Sequence, residues 1–381
     1  MHTTSTLSPA EMARYARHLA IPEFGKPAQE KLKAARVLVI GSGGLGSPLL
    51  LYLTAAGVGN IGIVDFDVVD ESNLQRQVLF TVADIGQSKA ETAKKRLLAL
   101  NPHVNIKVFN TAFTVENAME IAENYDIIAD GTDNFPTRYL TNDVCVLMGK
   151  VNVYASIFRF EGQVSVFNYL NEDGERGPNY RDLFPQPPPP GMVPSCAEGG
   201  VLGVLPGIIG SLQANEVIKI ITGVGEPLSG RLFLFDAASF TTRNLKIRKN
   251  PATKITELID YDQFCGIIPK KEITAMVKGI DVKELKKWRD EQKDFQLIDV
   301  RETYEYDICN LGGELVPLNK ILNYQDKIAT DKPVVIQCRS GVRSANAIKV
   351  LQNQFGFDNL LNLEGGILAW AREIDTSMPT Y

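Results

Sequence analysis

Arg36-Val37-Leu38-Val39-Ile40-Gly41-Ser42-Gly43-Gly44-Leu45-Gly46 is the segment that decides the fold of this chain. An apolar run opens directly onto glycines. A helical pattern over 48–56 follows, and a second apolar run, Ile61-Gly62-Ile63-Val64, ends on Asp65. Strand, glycine turn, helix, strand and acid make a β-α-β unit. Glycines there permit a tight turn and let backbone N–H groups approach a phosphate at the helix N-terminus. An acid closing the second strand suits a ribose hydroxyl. Gly41, Gly43, Gly44, Gly46 and Asp65 are therefore candidate nucleotide ligands, although the spacing does not say which nucleotide.

The residues after Asp65 narrow the chemistry. Asp65-Phe66-Asp67 leads into Glu71-Ser72-Asn73-Leu74-Gln75-Arg76-Gln77, and Gly86-Gln87-Ser88-Lys89 comes next. Hydride transfer has no use for an Arg and a Lys at this point. Phosphoryl or nucleotidyl transfer does, because the charge of a departing pyrophosphate must be offset. These motifs, with Thr132-Asp133-Asn134, resemble the ThiF/MoeB family of ATP-dependent activating enzymes, bacterial relatives of the ubiquitin-activating enzymes. The likeness runs continuously over residues 15–251.

The resemblance implies a Rossmann-like α/β domain with ATP and Mg²⁺ as cofactors. It also implies a homodimer and, as partner, a ubiquitin-like sulfur-carrier protein ending in Gly-Gly. It assigns the ribose to Asp65, the phosphates to Arg76 and Lys89 as catalytic groups, and Mg²⁺ to Asp133. Asp67, Ser72, Asn73 and Asn134 become further nucleotide contacts. Arg17, in Arg14-Tyr15-Ala16-Arg17, reads on its own as a solvated helix face. The resemblance instead sends it into the partner subunit's ATP site.

At 381 residues the chain has room for about two domains. With 44% hydrophobic and 22% charged residues it is ordinary for a globular protein, and a net charge of −5 gives no general attraction to nucleic acid or anionic membrane. No apolar run approaches the roughly 20 residues of a membrane span, and the first residues lack the layout of a signal peptide. Five scattered cysteines are no disulfide framework. A reducing compartment, the cytoplasm, is expected. The three histidines, His2, His18 and His103, have no metal-ligand spacing, which argues against His-based nucleophile or zinc hydrolysis.

In chain order, 8–32 reads as a helical pair with Ser8 as N-cap and Pro9 in the first turn. A helix over 89–100, a strand over 106–109, a helix over 115–124 and a strand running into the 130–134 turn follow. Asp133 falls beyond the carboxyl end of that strand, where it suits either Mg²⁺ or an N-cap. Strands are expected over 151–156 and 163–167, then an aperiodic stretch over 171–200, then a helix over 204–221. Cys196 lies in that stretch, in Pro194-Ser195-Cys196-Ala197-Glu198-Gly199-Gly200, where nearness to a helix start favours a thiolate. The resemblance implies a covalent bond there to the carrier's terminal glycine. Many family members also carry two C-x-x-C pairs for a structural zinc. This chain has Asn179-Tyr180-Arg181-Asp182 and Asp262-Gln263-Phe264-Cys265 instead. One cysteine cannot build a thiolate site, so no zinc is expected and something else must tether the loop.

Residues 1–250 are read as the adenylation domain, 251–271 as a polar linker and 272–381 as a second, smaller α/β domain. In the latter, strands over 295–301 and 333–337 carry Asp299-Val300-Arg301 and lead onto Cys338-Arg339-Ser340-Gly341-Val342-Arg343, with a helix from about 344. A cysteine on such a loop faces backbone N–H groups, a helix dipole and two arginines, surroundings that stabilise an anion on sulfur. With Glu364-Gly365-Gly366, this unit resembles a rhodanese domain, which implies a persulfide on Cys338 and a sulfur donor such as a cysteine desulfurase or thiosulfate. A C-x5-R phosphatase is the nearest competitor, but Arg343 follows Cys338 after only four residues. Cys145 and Cys309 read as buried apolar thiols.

The combined expectation is adenylation of a sulfur carrier, followed by transfer of persulfide sulfur to give its thiocarboxylate for molybdopterin, thiamine or tRNA thiolation. Rival readings are an NAD-dependent oxidoreductase, a modifier-conjugating enzyme and a non-catalytic scaffold.

Overall fold

A computed structural model describes residues 6–188, 200–266 and 277–381. The chain divides into two compact units, Met1–Pro269 and Lys270–Tyr381. No helix among the described residues is long and apolar enough to cross a membrane.

The first unit is built on strands β1 (Arg36–Ile40), β2 (Asn60–Val64), β3 (Asn105–Phe109), β4 (Ile127–Asp130), β5 (Val151–Phe158), β6 (Glu161–Phe167), β7 (Arg231–Asp236) and β8 (Thr241–Lys246). They form one sheet in the order β3-β2-β1-β4-β5-β6-β7-β8. The first five run parallel and β6 to β8 antiparallel. The near-continuous apolar strands are what a sheet covered on both faces requires. Val37 and Val39 point into a core shared with helices Gly25–Ala34, Gly46–Ala56 and Lys89–Leu100. Leu38 and Ile40, one residue out of phase, enter the opposite core beside helices Ala118–Ala122 and Phe135–Leu147. Each such side chain contributes about 1.5–3 kcal/mol by its burial. Because β1 lies between β2 and β4, the strand order reverses there, and a crevice opens beyond the carboxyl ends of β1 and β4.

Local signals explain most boundaries. Ser8 and Glu11 exchange reciprocal cap bonds around Pro9, starting the helix Pro9–Arg14. The expected helical pair is three pieces, with Ala16–Leu19 and Gly25–Ala34 following. The helix expected over 115–124 contracts to Ala118–Ala122, because Asn117 turns its amide back to the Thr114 N–H and the Ala112 carbonyl. The sequence reading missed β7 and β8. Every residue of β8 is exposed, so it carries no apolar period and is defined only by pairing with β7.

The stretch read as a linker is partly core. Tyr261 and Cys265, on and after the helix Tyr261–Phe264, are buried in the first unit's second core, with Leu258 and Ile259 partly buried against it. Here the tether that the missing cysteines left open comes into view. Arg181 forms a two-pronged ion pair with buried Asp143 (Nε–Oδ1 2.8 Å, Nη2–Oδ2 2.7 Å), and the Tyr261 hydroxyl donates to the same carboxylate at 2.8 Å. The guanidinium lies over the rings of Tyr139 (5.0 Å) and Phe264 (4.6 Å). A buried charge and three aromatic rings thus join the two segments that would otherwise supply cysteines. Burial pushes the Cys265 thiol up to about 11.

The second unit is a parallel sheet of β9 (Gly279–Ile280), β10 (Gln296–Asp299), β11 (Glu314–Leu315), β12 (Val334–Gln337) and β13 (Leu360–Leu363), in the order β11-β10-β12-β13-β9. Helix Val282–Asp290, capped by Asp281, packs Leu285 and Trp288 on one face. Helix Val342–Phe355 packs Ile348 and Leu351 on the other.

Candidate active sites

The crevice at the strand reversal is a cleft of about 270 Å³. It is lined by Gly41, Gly43, Gly44, Asp65, Asp67, Asn73, Arg76, Lys89, Asp133 and Asn134, residues gathered from five separate turns. Its floor needs glycine. A Cβ on Gly46 would sit 2.0 Å from the Gly41 carbonyl oxygen, a contact that holds the turn against the start of helix Gly46–Ala56. Asp65 is buried. Its Oδ2 accepts from both the N–H and the hydroxyl of Ser42 at 2.7 Å, and its Oδ1 accepts from the Asp67 N–H at 2.9 Å. The carboxylate is therefore rigidly held and keeps acceptor capacity on Oδ1 for a further hydroxyl.

Lys89 reaches across to Asp67 at 2.9 Å, and Arg76 donates to the Ser72 carbonyl at 3.1 Å. Ser72 itself does not line the cleft; its hydroxyl donates to Asp70. Asn73 lines the cleft and its amide oxygen also accepts from the Asp70 N–H. Arg17 is exposed on helix Ala16–Leu19 and is not part of this chain's own cleft. The N-cap of helix Phe135–Leu147 is Asn134, which accepts from the Thr137 N–H at 2.9 Å. Asp133 is thereby relieved of the capping role and lies exposed on the cleft wall.

Two cleft-lining residues, Gln77 and Arg138, escaped the sequence reading, as did Ser42, buried behind the glycine turn. Ser42 stands inside the quoted glycine turn, and Gln77 ends the quoted Arg-containing motif, so the signal for both was adjacent. Gln77 is buried, and among the described residues its Oε1 has no hydrogen-bond partner. Arg138 is a buried cation in the cleft wall whose Nη2 donates to the Thr132 carbonyl at 3.0 Å, while its Nε has no partner among the described residues. Beneath it, Asp130 is buried. Burial pushes its carboxyl above the usual range, opposed by Arg138 and by hydrogen bonds from Thr132. A glycine cradle, a held acid, three cations and unpartnered buried polar atoms together fit a nucleoside triphosphate. Among the described residues no group of three acidic, His or Cys side chains is spaced for a metal. A lone exposed carboxylate such as Asp133 can serve a hard cation only together with oxygens from another ligand, phosphate among them.

Cys196 lies outside the described residues. Cys145 is fully buried, and burial drives its thiol far above the usual value.

In the second unit Cys338 sits directly beyond β12 and is buried. Its sulfur accepts from the Gly341 N–H at 3.2 Å and lies 3.3 Å from the Ser344 hydroxyl, which is also 2.6 Å from Asn362 Oδ1. The Glu364-Gly365-Gly366 turn closes over this loop. The Ile367 N–H donates to the Cys338 carbonyl at 2.9 Å, and a Cβ on Gly366 would meet that oxygen at 2.3 Å.

The sequence reading put two arginines against the sulfur. Arg343 remains within electrostatic reach of Cys338, but both its terminal nitrogens are bonded to Glu305, at 2.6 and 2.7 Å. Arg339 donates through Nε to the main-chain oxygen of Tyr381 at 2.6 Å. Burial raises the Glu305 carboxyl, but bonds from Arg343, the Glu302 N–H and Tyr381 outweigh it and hold the acid below its ordinary 4.5. Its stabilisation is complete above that unfolded value and is lost as pH falls through the lower folded one. Acid titration of the intact chain should show the second unit losing stability below about pH 4.5, and Glu305→Gln should flatten that limb.

Comparison with known proteins covers both units. The ThiF family model matches residues 15–256, and the rhodanese-like domain model matches residues 281–373. A relative from Mycobacterium tuberculosis (strain ATCC 25618 / H37Rv), named probable adenylyltransferase/sulfurtransferase MoeZ, is 51% identical over 99% of this chain and 97% of its own. The sulfur carrier protein adenylyltransferase of Thermus thermophilus is 52% identical over 68% of this chain and 97% of its own. Among solved structures, E. coli MccB crystallised with ATP shares the fold, with a TM-score of 0.53 and 22% identity over 64% of this chain and 73% of that one. The chain therefore belongs to the ThiF family, with a rhodanese-like domain joined after its nucleotide-binding unit.

Proposed function

We propose that this chain adenylates the C-terminal glycine of a ubiquitin-like sulfur-carrier protein and then delivers sulfur from Cys338 to it. The observation that carries the reading is the gathering of Asp65, Arg76, Lys89 and Asp133 around one glycine-floored cleft, on a chain that also holds a loop-bound cysteine.

The carrier's carboxylate oxygen attacks the α-phosphorus of ATP, the bond to the β-phosphate breaks, and pyrophosphate leaves with its negative charge. Arg76 and Lys89 offset that charge, which requires Lys89 to exchange Asp67 for phosphate. Asp65 accepts from the ribose, and Asn73 and Asn134 add polar contacts. Arg138 adds a third cation within the chain, and Arg17 of a second copy would add a fourth in a homodimer. A bound Mg²⁺ held by Asp133 would draw charge from the phosphate oxygens. The terminal sulfur of a Cys338 persulfide then attacks the acyl carbon and AMP leaves. A thiol attacking the Cys338 sulfur of the resulting acyl disulfide releases the carrier thiocarboxylate and leaves a disulfide, which an external dithiol reduces. The role of Cys196, as covalent waypoint or as the thiol that resolves the acyl disulfide, rests on the resemblance. A cysteine desulfurase or thiosulfate is the proposed donor, and the cytoplasm the proposed compartment. Neither Arg76 nor Lys89 has a task in hydride transfer, so the oxidoreductase reading gains nothing from this cleft.

ATP–pyrophosphate exchange tests the proposal, using a carrier ending in Gly-Gly and the same carrier lacking that tail. Exchange that requires the tail supports it, and no exchange with any such carrier overturns it. Arg76→Ala and Lys89→Ala are each expected to lower exchange by about 10²–10³, the scale of removing one preorganised charge-stabilising donor.

A further inference from the structure

We infer that Tyr381 is a positioning residue of the Cys338 loop, aiming Arg339 so that its free guanidinium edge recognises a small anionic sulfur donor. The inference rests on the persulfide reading of Cys338 and goes beyond it by naming what selects the donor.

The observations lie in one cluster. Arg301 is fully buried, with Asp299 as its ion-pair partner at 2.6 Å. Arg343 is bonded through both terminal nitrogens to Glu305. Two of the three arginines near the loop are thus neutralised and geometrically committed. Among the described residues no side-chain carboxylate pairs with Arg339. Its Nε is bonded to the main-chain oxygen of Tyr381 at 2.6 Å, its guanidinium lies 5.5 Å over the Tyr381 ring, and Nη1 and Nη2 have no hydrogen-bond partner among the described residues. The ring is itself anchored, because the Tyr381 hydroxyl accepts from Arg301 Nη1 at 2.5 Å and donates to Glu305 Oε1 at 3.1 Å. Tyr381 therefore touches all three systems at once, and Arg339 directly follows the reactive cysteine. A guanidinium fixed by one edge and stacked on a ring presents its remaining N–H groups as a preorganised fork for an oxyanion. Thiosulfate has the required chemistry: a terminal sulfur to transfer and a sulfonate to be held. Transfer forms a bond from the Cys338 thiolate to that sulfur, breaks the sulfur–sulfur bond of thiosulfate, and releases sulfite with the electron pair.

The test is steady-state thiosulfate:cyanide sulfur transfer by the intact chain, which needs neither ATP nor a carrier and so is independent of adenylation. Tyr381→Ala removes the stacked ring and is expected to raise KM for thiosulfate about tenfold, the scale of one charge-assisted hydrogen bond, with kcat changed less than about threefold. Tyr381→Phe keeps the ring and the main-chain oxygen and should restore KM to within about twofold. A double-mutant cycle with Arg339→Gln separates positioning from general loosening: the two effects on KM should be far from additive. If Tyr381→Ala fails to fold, Arg339→Gln alone must raise KM by the same factor. Unchanged KM in Arg339→Gln, additive effects in the cycle, a fall in kcat alone, or no thiosulfate turnover by the intact chain would each overturn the assignment.

Discussion

Cys338→Ala is expected to reduce thiosulfate:cyanide sulfur transfer to background, a fall on the order of 10⁶ if loss of the nucleophile behaves as in other covalent enzymes. The same variant should retain tail-dependent ATP–pyrophosphate exchange within about twofold. The split follows from where the residues lie. Every cation and acid proposed for the nucleotide belongs to the first unit, and every contact to the Cys338 sulfur comes from the loop itself or from the helix after it. The thiol side chain also has little structural work to do, since Gly366 and Ile367 engage the Cys338 carbonyl rather than its sulfur. Exchange that vanished together with sulfur transfer would show that one unit's chemistry depends on the other's, and the division of labour proposed above would fail. Mass spectrometry after incubation with thiosulfate gives a second readout: the parent chain should gain one sulfur atom and Cys338→Ala none.

How much of this was legible in the sequence differs between the two kinds of site residue. The cleft residues follow strand ends, and a strand buried on both faces advertises itself by an unbroken apolar run. Gly41 and Asp65 are therefore legible as strand-end residues from the sequence alone. The same is true of Cys338, which directly follows Val334-Val335-Ile336-Gln337. Arg343 was legible as a residue but not as an interaction. Its partner Glu305 lies 38 positions away, on a short helix whose sequence, Thr303-Tyr304-Glu305-Tyr306-Asp307-Ile308, carries no apolar period. Tyr381 was illegible for the same reason, since its contacts to Glu305 and Arg301 span 76 and 80 positions. Buried ion pairs are set by tertiary geometry, and local periodicity reports only which face of an element is dry. The missed strand β8 is the converse case, an element with no dry face at all.

The tether of the first unit shows the consequence for stability most sharply. Asp143→Ala is expected to destabilise this unit by about 3–5 kcal/mol, the range for removing one partner of a buried ion pair. Asp143 is 1% exposed and is the acceptor for two Arg181 nitrogens and for the Tyr261 hydroxyl. Its loss leaves a guanidinium held between Tyr139 and Phe264 with no carboxylate and a buried phenol with no acceptor. Asp143→Asn keeps an acceptor oxygen and should cost less. Replacing both partners by apolar residues of similar shape, Asp143→Leu with Arg181→Met, should recover most of the loss, because the desolvation cost of the charges disappears with them. Urea unfolding of the intact chain, followed by a probe on the first unit, gives the comparison as shifts in midpoint at constant slope. A loss below about 1 kcal/mol for Asp143→Ala would place the pair in the range of surface salt bridges and remove it as the element holding residues 179–184 against the helix Tyr261–Phe264. A loss of the expected size that chelators leave unchanged would make this charge-and-ring cluster, rather than a metal, the tether of that part of the chain.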